Sequence, residues 1–185
     1  MERLIPASSV LLIVDVQERL AAVMPKERID RLVKNAEVLL EAAQRLGVRV
    51  LATEQYPKGL GPTLGALAGR LSALGVTPVD KTVFDASSEP RIARALGEAG
   101  PRSVVVAGME SHICVFQTAR ELVRRGYATY VVEDAVASRT AENRAAGVSL
   151  CARAGAIVTV AEAVAFDWLG RAEGEHFKAI SKLIR

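Results

Sequence analysis

Histidine, cysteine and aromatic residues are scarce in this 185-residue chain, which has two His, two Cys, one Trp, three Tyr and four Phe. Two cysteines cannot build a disulfide framework, and a zinc site of Cys and His ligands would need nearly all four of these residues to converge. The few aromatics make a base-stacking platform a poor first reading. Long hydrophobic runs are missing as well. The longest strongly apolar stretch, Val10 to Val14, is five residues, far short of the roughly 20 that a membrane-spanning helix needs. The opening Met1-Glu-Arg-Leu-Ile-Pro6 has no apolar signal core. Nor is one sign of charge in strong excess: 24 Lys and Arg against 21 Asp and Glu leave +3, spread along the chain, which gives little support to nucleic-acid binding. The expectation is a soluble cytoplasmic protein with reduced thiols and no metal, cofactor, membrane or nucleic-acid partner.

The composition that remains, 50% apolar and 24% charged, is that of a globular protein. The length predicts one domain over residues 1–185, able to bury roughly 70% of the surface its unfolded chain exposes. Short β-branched runs alternate with longer amphipathic ones. Strands are predicted at Val10–Val14, Val48–Thr53, Val76–Lys81, Ser103–Ala107, Tyr127–Val132 and Ala156–Val160. Their continuous apolar character implies a parallel sheet covered on both faces. Helices are predicted from Pro25 to Gly47, over Leu64–Leu74, Pro90–Ala99, His112–Arg125, Thr140–Ala154 with Thr140 as N-cap, Ala161–Leu169 and Glu175–Leu183. The stretch Gln55–Pro62, with two prolines and two glycines, reads as loop.

In an open parallel sheet, ligands gather at the carboxyl ends of the strands. Asp15 ends the first strand, and its alternative reading is a cap or loop acid. Lys81 ends the third, and taken alone it reads equally as a lysine reaching solvent. Cys114 falls in the first turn of the helix after strand four, about the third helical position if Ser111 is the cap. Helix N–H groups and dipole favour a thiolate there, although a small buried core residue is the commoner fate of a cysteine. Together the three read as chemistry: a nucleophile, a base for its proton and a cation. No G-x-G-x-x-G follows the first strand and no G-x-x-x-x-G-K-[ST] occurs, which argues against nucleotide sites. Cys151, mid-helix on a predicted inward face, reads as an inert core residue.

Leu11-Leu-Ile-Val-Asp-Val-Gln17, Lys81 before Thr-Val-Phe84, and Gly108-Met-Glu-Ser-His-Ile-Cys-Val115 resemble the three signatures of the isochorismatase-like cysteine hydrolases. Glu54–Thr63, Ala161–Leu169 and Phe177–Ile184 are similar to the isochorismatase-domain-containing hydrolases of unknown substrate. The resemblance implies a three-layer α/β/α fold with a six-stranded parallel sheet in the order 3-2-1-4-5-6. It also implies an Asp–Lys–Cys triad at Asp15, Lys81 and Cys114, and a cis Met109–Glu110 peptide aiming the N–H groups of Glu110 and Cys114 at one oxyanion. Family members are commonly dimers or tetramers, so a homo-oligomer is expected.

Nicotinamidases of that family carry an Asp/His/His metal site after strand two. Here that region reads Thr53-Glu-Gln-Tyr-Pro57, and the two histidines, His112 and His176, stand elsewhere. Isochorismatases proper cleave a vinyl ether and typically lack the cysteine. Its presence favours hydrolysis of a small carboxamide through a thioester, with Gln17, Gln55, Tyr56 and Phe84 as candidates for lining the substrate pocket. A vinyl ether hydrolase and a non-catalytic binding protein that keeps the fold are the alternatives.

Overall fold

The computed structural model describes residues 3–184. Six strands form one parallel sheet in the order β3-β2-β1-β4-β5-β6. They are β1 Ser9–Val14, β2 Arg49–Gln55, β3 Val79–Lys81, β4 Ser103–Met109, β5 Ala128–Ala137 and β6 Ile157–Thr159. The helices are α1 Glu18–Ala21, α2 Lys26–Leu46, α3 Pro57–Leu60, α4 Gly65–Ala73, α5 Pro90–Ala99, α6 Phe116–Arg124, α7 Ala141–Arg153, α8 Ala161–Leu169 and α9 Gly174–Ile184.

The sheet is apolar on both faces because successive side chains of a strand point to opposite sides. Leu11 and Ile13 of β1 and Val105 and Ala107 of β4 pack toward α2, α4, α8 and α9. Val10, Leu12 and Val14 of β1 and Val104 and Val106 of β4 pack toward α5, α6 and α7. Each such Leu or Ile taken fully out of water is worth about 1.5–3 kcal/mol. The two central strands, β1 and β4, are buried along their whole length.

Several elements depart from the sequence expectation. The stretch read as loop after β2 contains one helical turn, α3, because Pro57 stands at its first position, where a missing N–H costs nothing. Strand β5 runs on to Ala137, with a register shift against β4 between Val106 and Gly108; the acids Glu133 and Asp134 hide this extension from a hydropathy reading. The helix expected from His112 begins instead as a five-residue π-helical turn, Ser111–Val115, preceded by Glu110 rather than capped by Ser111. No helix among the described residues is long and apolar enough to cross a membrane.

Candidate active site

The strand order reverses between β1 and β4, and polar residues gather at their carboxyl ends. Asp15 follows β1 with φ 51°, a left-handed conformation few residues other than glycine adopt. Its side chain is wholly buried. Oδ1 accepts a hydrogen bond from Thr53 Oγ1 at 2.7 Å, and Thr53 is the β2 residue paired in register with Val14.

Lys81, the last residue of β3, brings Nζ to 2.7 Å from Asp15 Oδ2, with both side chains sealed from solvent. Its ammonium has three N–H bonds, and they serve Gln55 Oε1 at 2.7 Å, the Val83 carbonyl at 3.0 Å and the Phe84 carbonyl at 3.3 Å. Asp15 Oδ2 therefore meets Lys81 by charge, while no hydrogen bond reaches it among the described residues.

Cys114 sits in the π-helical turn and is 5% exposed. Burial, and then the negative charge of Asp15, push its thiol up to about 12, with Lys81 acting in the opposite direction. The charges of all three residues thus meet at the sulfur. Burial thus opposes the thiolate that the sequence expectation placed at the helix start. Cys151, fully buried in α7, is also pushed up to about 12 by burial, with no carboxylate acting on it.

The turn that carries Cys114 is held from two directions. The Glu110 carbonyl accepts the N–H groups of Ile113 and Val115, the residues flanking Cys114. The Met109–Glu110 peptide is cis. Just before it, Gly108 has φ 131° and lies so close to β1 that a Cβ would stand 2.0 Å from the Val14 carbonyl oxygen. From the other side, the segment after β5 reaches in. Arg139 donates from its backbone N–H and from Nε to Glu110 Oε2, at 3.0 and 3.1 Å. Ser138, fully buried, accepts the Ser111 N–H at 3.0 Å and contacts Ser111 Oγ at 2.6 Å and His112 Nδ1 at 3.1 Å. In α7, Gly147 presses on the same turn, where a Cβ would fall 2.4 Å from the Ser111 carbonyl carbon. The sequence reading missed Thr53, Ser138, Arg139 and Gly147. Thr53 at the end of the neighbouring strand was the one with a usable signal.

The four pocket candidates divide. Gln17 is buried and its amide is fully engaged, donating to the Gln55 and Gly61 carbonyls at 3.0 and 2.7 Å and accepting the Gln55 N–H at 2.7 Å. Gln55 accepts from Lys81 and donates to the Thr82 carbonyl at 2.9 Å. Gln55 thus holds the lysine, and Gln17 holds Gln55 and the loop after it. Tyr56 and Phe84 instead stand at the surface, 55% and 52% exposed. Tyr56, also left-handed at φ 38°, borders a cavity of about 360 Å³ with Pro57, Lys58, Asp80, Lys81, Thr82 and Glu89. Three larger cavities, two of about 570 Å³ and one of about 390 Å³, open elsewhere and are lined by none of Asp15, Lys81 and Cys114. His112 is tied to Ser138, and His176 lies exposed on α9. Among the described residues, no three His, Cys, Asp or Glu side chains are gathered closely enough to hold a metal ion.

Residues 9–163 match the family model described as the isochorismatase domain. The isochorismatase domain-containing protein 2 of Bos taurus is 37% identical over 185 residues, covering 99% of this chain and 86% of that protein. The secreted isochorismatase effector Isc1 of Phytophthora sojae is 36% identical over 186 residues, covering 99% and 87%. Among solved structures, that of the MAR1 ribonuclease from Caenorhabditis elegans superposes with a TM-score of 0.90 at 34% identity, covering 99% of this chain and 92% of that one. With residues 9–163 matching the family model and nearly the whole chain 37% identical to a relative, the chain belongs to the isochorismatase family of hydrolases, whose sheet order it shares.

Proposed function

We propose that this protein hydrolyses the carbon–nitrogen bond of a small carboxamide through a thioester on Cys114. The observation that carries the reading is the buried Asp15–Lys81 pair, both of whose charges act on the Cys114 thiol. With the thiol near 12, on the order of one site in 10⁵ would hold a free thiolate at neutral pH, so the proton must leave as the sulfur attacks. Asp15 Oδ2 takes that proton while the sulfur–carbon bond forms and the carbonyl electrons move to oxygen. The N–H groups of Glu110 and Cys114 hold the oxyanion, and losing one such donor costs about 10²–10³ in turnover. As the tetrahedral adduct collapses, the carbon–nitrogen bond breaks and Asp15 returns its proton to the leaving nitrogen. Asp15 then takes a proton from water as hydroxide adds to the thioester, the carbon–sulfur bond breaks, and Asp15 returns that proton to the sulfur, leaving a carboxylic acid product and the resting thiol.

Lys81 holds the Asp15 carboxylate in place by its charge, and Gln55 and the Val83 and Phe84 carbonyls keep Lys81 in place. Tyr56 and Phe84, exposed beside the lysine, form the rim the substrate meets. Tyr56, Val83 and Phe84 make an apolar edge at the site, which suits burial against a second copy in a homo-oligomer.

The test is a panel of small carboxamides, with isochorismate and RNA as separate arms, run on the protein and on Cys114→Ala. Release of amine by the protein and a loss of at least about 10³-fold in the variant are expected. Amide turnover surviving in Cys114→Ala would overturn the reading. Turnover of isochorismate alone would assign vinyl ether hydrolysis, and turnover of RNA alone would assign a nuclease. Inertness towards every arm would favour a binding protein.

A further inference from the structure

The hydroxyls and ring that surround the start of the π-helical turn admit two proton directions, of which one serves every contact. Ser111 Oγ lies 3.3 Å from the Arg144 carbonyl oxygen, which can only accept. The single proton of Ser111 therefore points at Arg144. In the 2.6 Å contact between the two serine hydroxyls, Ser138 must then be the donor. Its one proton is thereby engaged, so toward His112 Nδ1, 3.1 Å away, Ser138 can only accept. Its remaining lone pair takes the Ser111 N–H. In this direction every proton and lone pair of Ser138 is used and His112 carries its proton on Nδ1, so that all four contacts are served. The reverse direction leaves the Arg144 carbonyl without the Ser111 proton.

We propose that Ser138 is a positioning residue for the nucleophile turn, holding Ser111–Cys114 through a one-way chain of hydrogen bonds that runs His112 Nδ1–H to Ser138, Ser138 to Ser111, and Ser111 to the Arg144 carbonyl. Nothing in this chain touches substrate. It ties two residues of the turn to the β5–α7 junction and to the first turns of α7, in the region where Gly147 closes against the Ser111 backbone. A consequence is that neutral His112 is locked as its Nδ1–H tautomer. The kinetic part of the proposal rests on Cys114 being the nucleophile; the tautomer does not.

The first measurement uses the scarcity of histidine. With 15N-labelled histidine, long-range proton–nitrogen correlation spectra contain two imidazoles, His112 and His176, and His176→Gln assigns them. Above the ordinary histidine range near 6.5, His112 is expected as the Nδ1–H tautomer. In Ser111→Ala, Ser138 is freed to turn its proton toward the ring, and His112 should change to Nε2–H. Finding Nε2–H in the unmodified protein, or no change in Ser111→Ala, overturns the chain. The second measurement is the rate at which iodoacetamide alkylates Cys114, read by mass spectrometry against Cys151. Ser138→Ala should slow it about 10-fold or more at neutral pH, with a melting temperature close to that of the parent, and Ser138→Thr, which keeps the hydroxyl, should recover it. An unchanged or faster rate in Ser138→Ala overturns the positioning role. Where an amide substrate is found, kcat should fall with KM retained. If Cys114→Ala still turns over amide, the proposed function fails while the tautomer result stands.

Discussion

A single substitution at Asp15 separates two properties that usually change together, the ease of ionising a cysteine and its usefulness as a catalyst. Asparagine tolerates the left-handed backbone at this position, so Asp15→Asn removes the charge while sparing the conformation. The negative charge of Asp15 is one of the causes holding the Cys114 thiol up near 12, and Lys81 remains to act the other way. The thiol in Asp15→Asn should therefore titrate at lower pH, read as thiolate absorbance, while amide turnover falls by about 10²–10⁴ because no group returns a proton to the leaving nitrogen. A thiol still titrating near 12 would show that burial alone sets its value. Lys81→Met should lower unfolding free energy by about 3–5 kcal/mol in urea, since it strands a sealed carboxylate. Asp15, Lys81 and Cys114 were legible in the sequence because each stands where an apolar run gives way to a charge or a thiol. Thr53 offered only its place at the end of the neighbouring strand, and Ser138 offered nothing, because hydroxyl residues open loops everywhere and its partner Ser111 lies 27 residues away.

Among the elements, α7 is more than a cover for the sheet. Its Gly147 is helical in a region where alanine is the better helix former, yet a Cβ there would meet the Ser111 backbone. Gly147→Ala should cost about 1–3 kcal/mol by overpacking and slow Cys114 alkylation. Gly65→Ala, at the start of α4 with nothing within 4 Å of the added carbon, should leave both unchanged. Equal effects of the two substitutions would show that α7 does not brace the turn. Periodicity located nearly every helix and strand, since burial on one stripe or on both faces writes itself into residue order. It could not show that the helix after β4 opens as a π turn, because that geometry accompanies hydrogen bonds from Ser111 to Ser138 and Arg144, residues contributed by a later part of the chain.

The whole molecule should weaken in alkali through both of its cysteines. Each thiol is raised from an ordinary 9.0 to about 12, so the folded protein keeps protons that the unfolded chain releases. The stabilisation is complete below pH 9 and is lost as pH rises through the folded value near 12. Urea midpoints should fall across that window, and less steeply in Cys151→Ala than in the parent; identical slopes would mean that Cys151 does not contribute. The sheet order was legible at this scale through the family's motifs, whereas the route by which the chain's last third returns to the nucleophile was not. That return has a consequence for biosynthesis. Asp15, Lys81 and Cys114 are all translated by residue 114, but Ser138, Arg139 and Gly147 follow 24 or more residues later. A nascent chain halted before Ser138 would hold the complete reactive set without its brace, and its cysteine would behave as an ordinary thiol, open to oxidants and disulfide exchange. The turn that carries Cys114 therefore gains its last contacts late in synthesis, once Ser138 and Gly147 have been added.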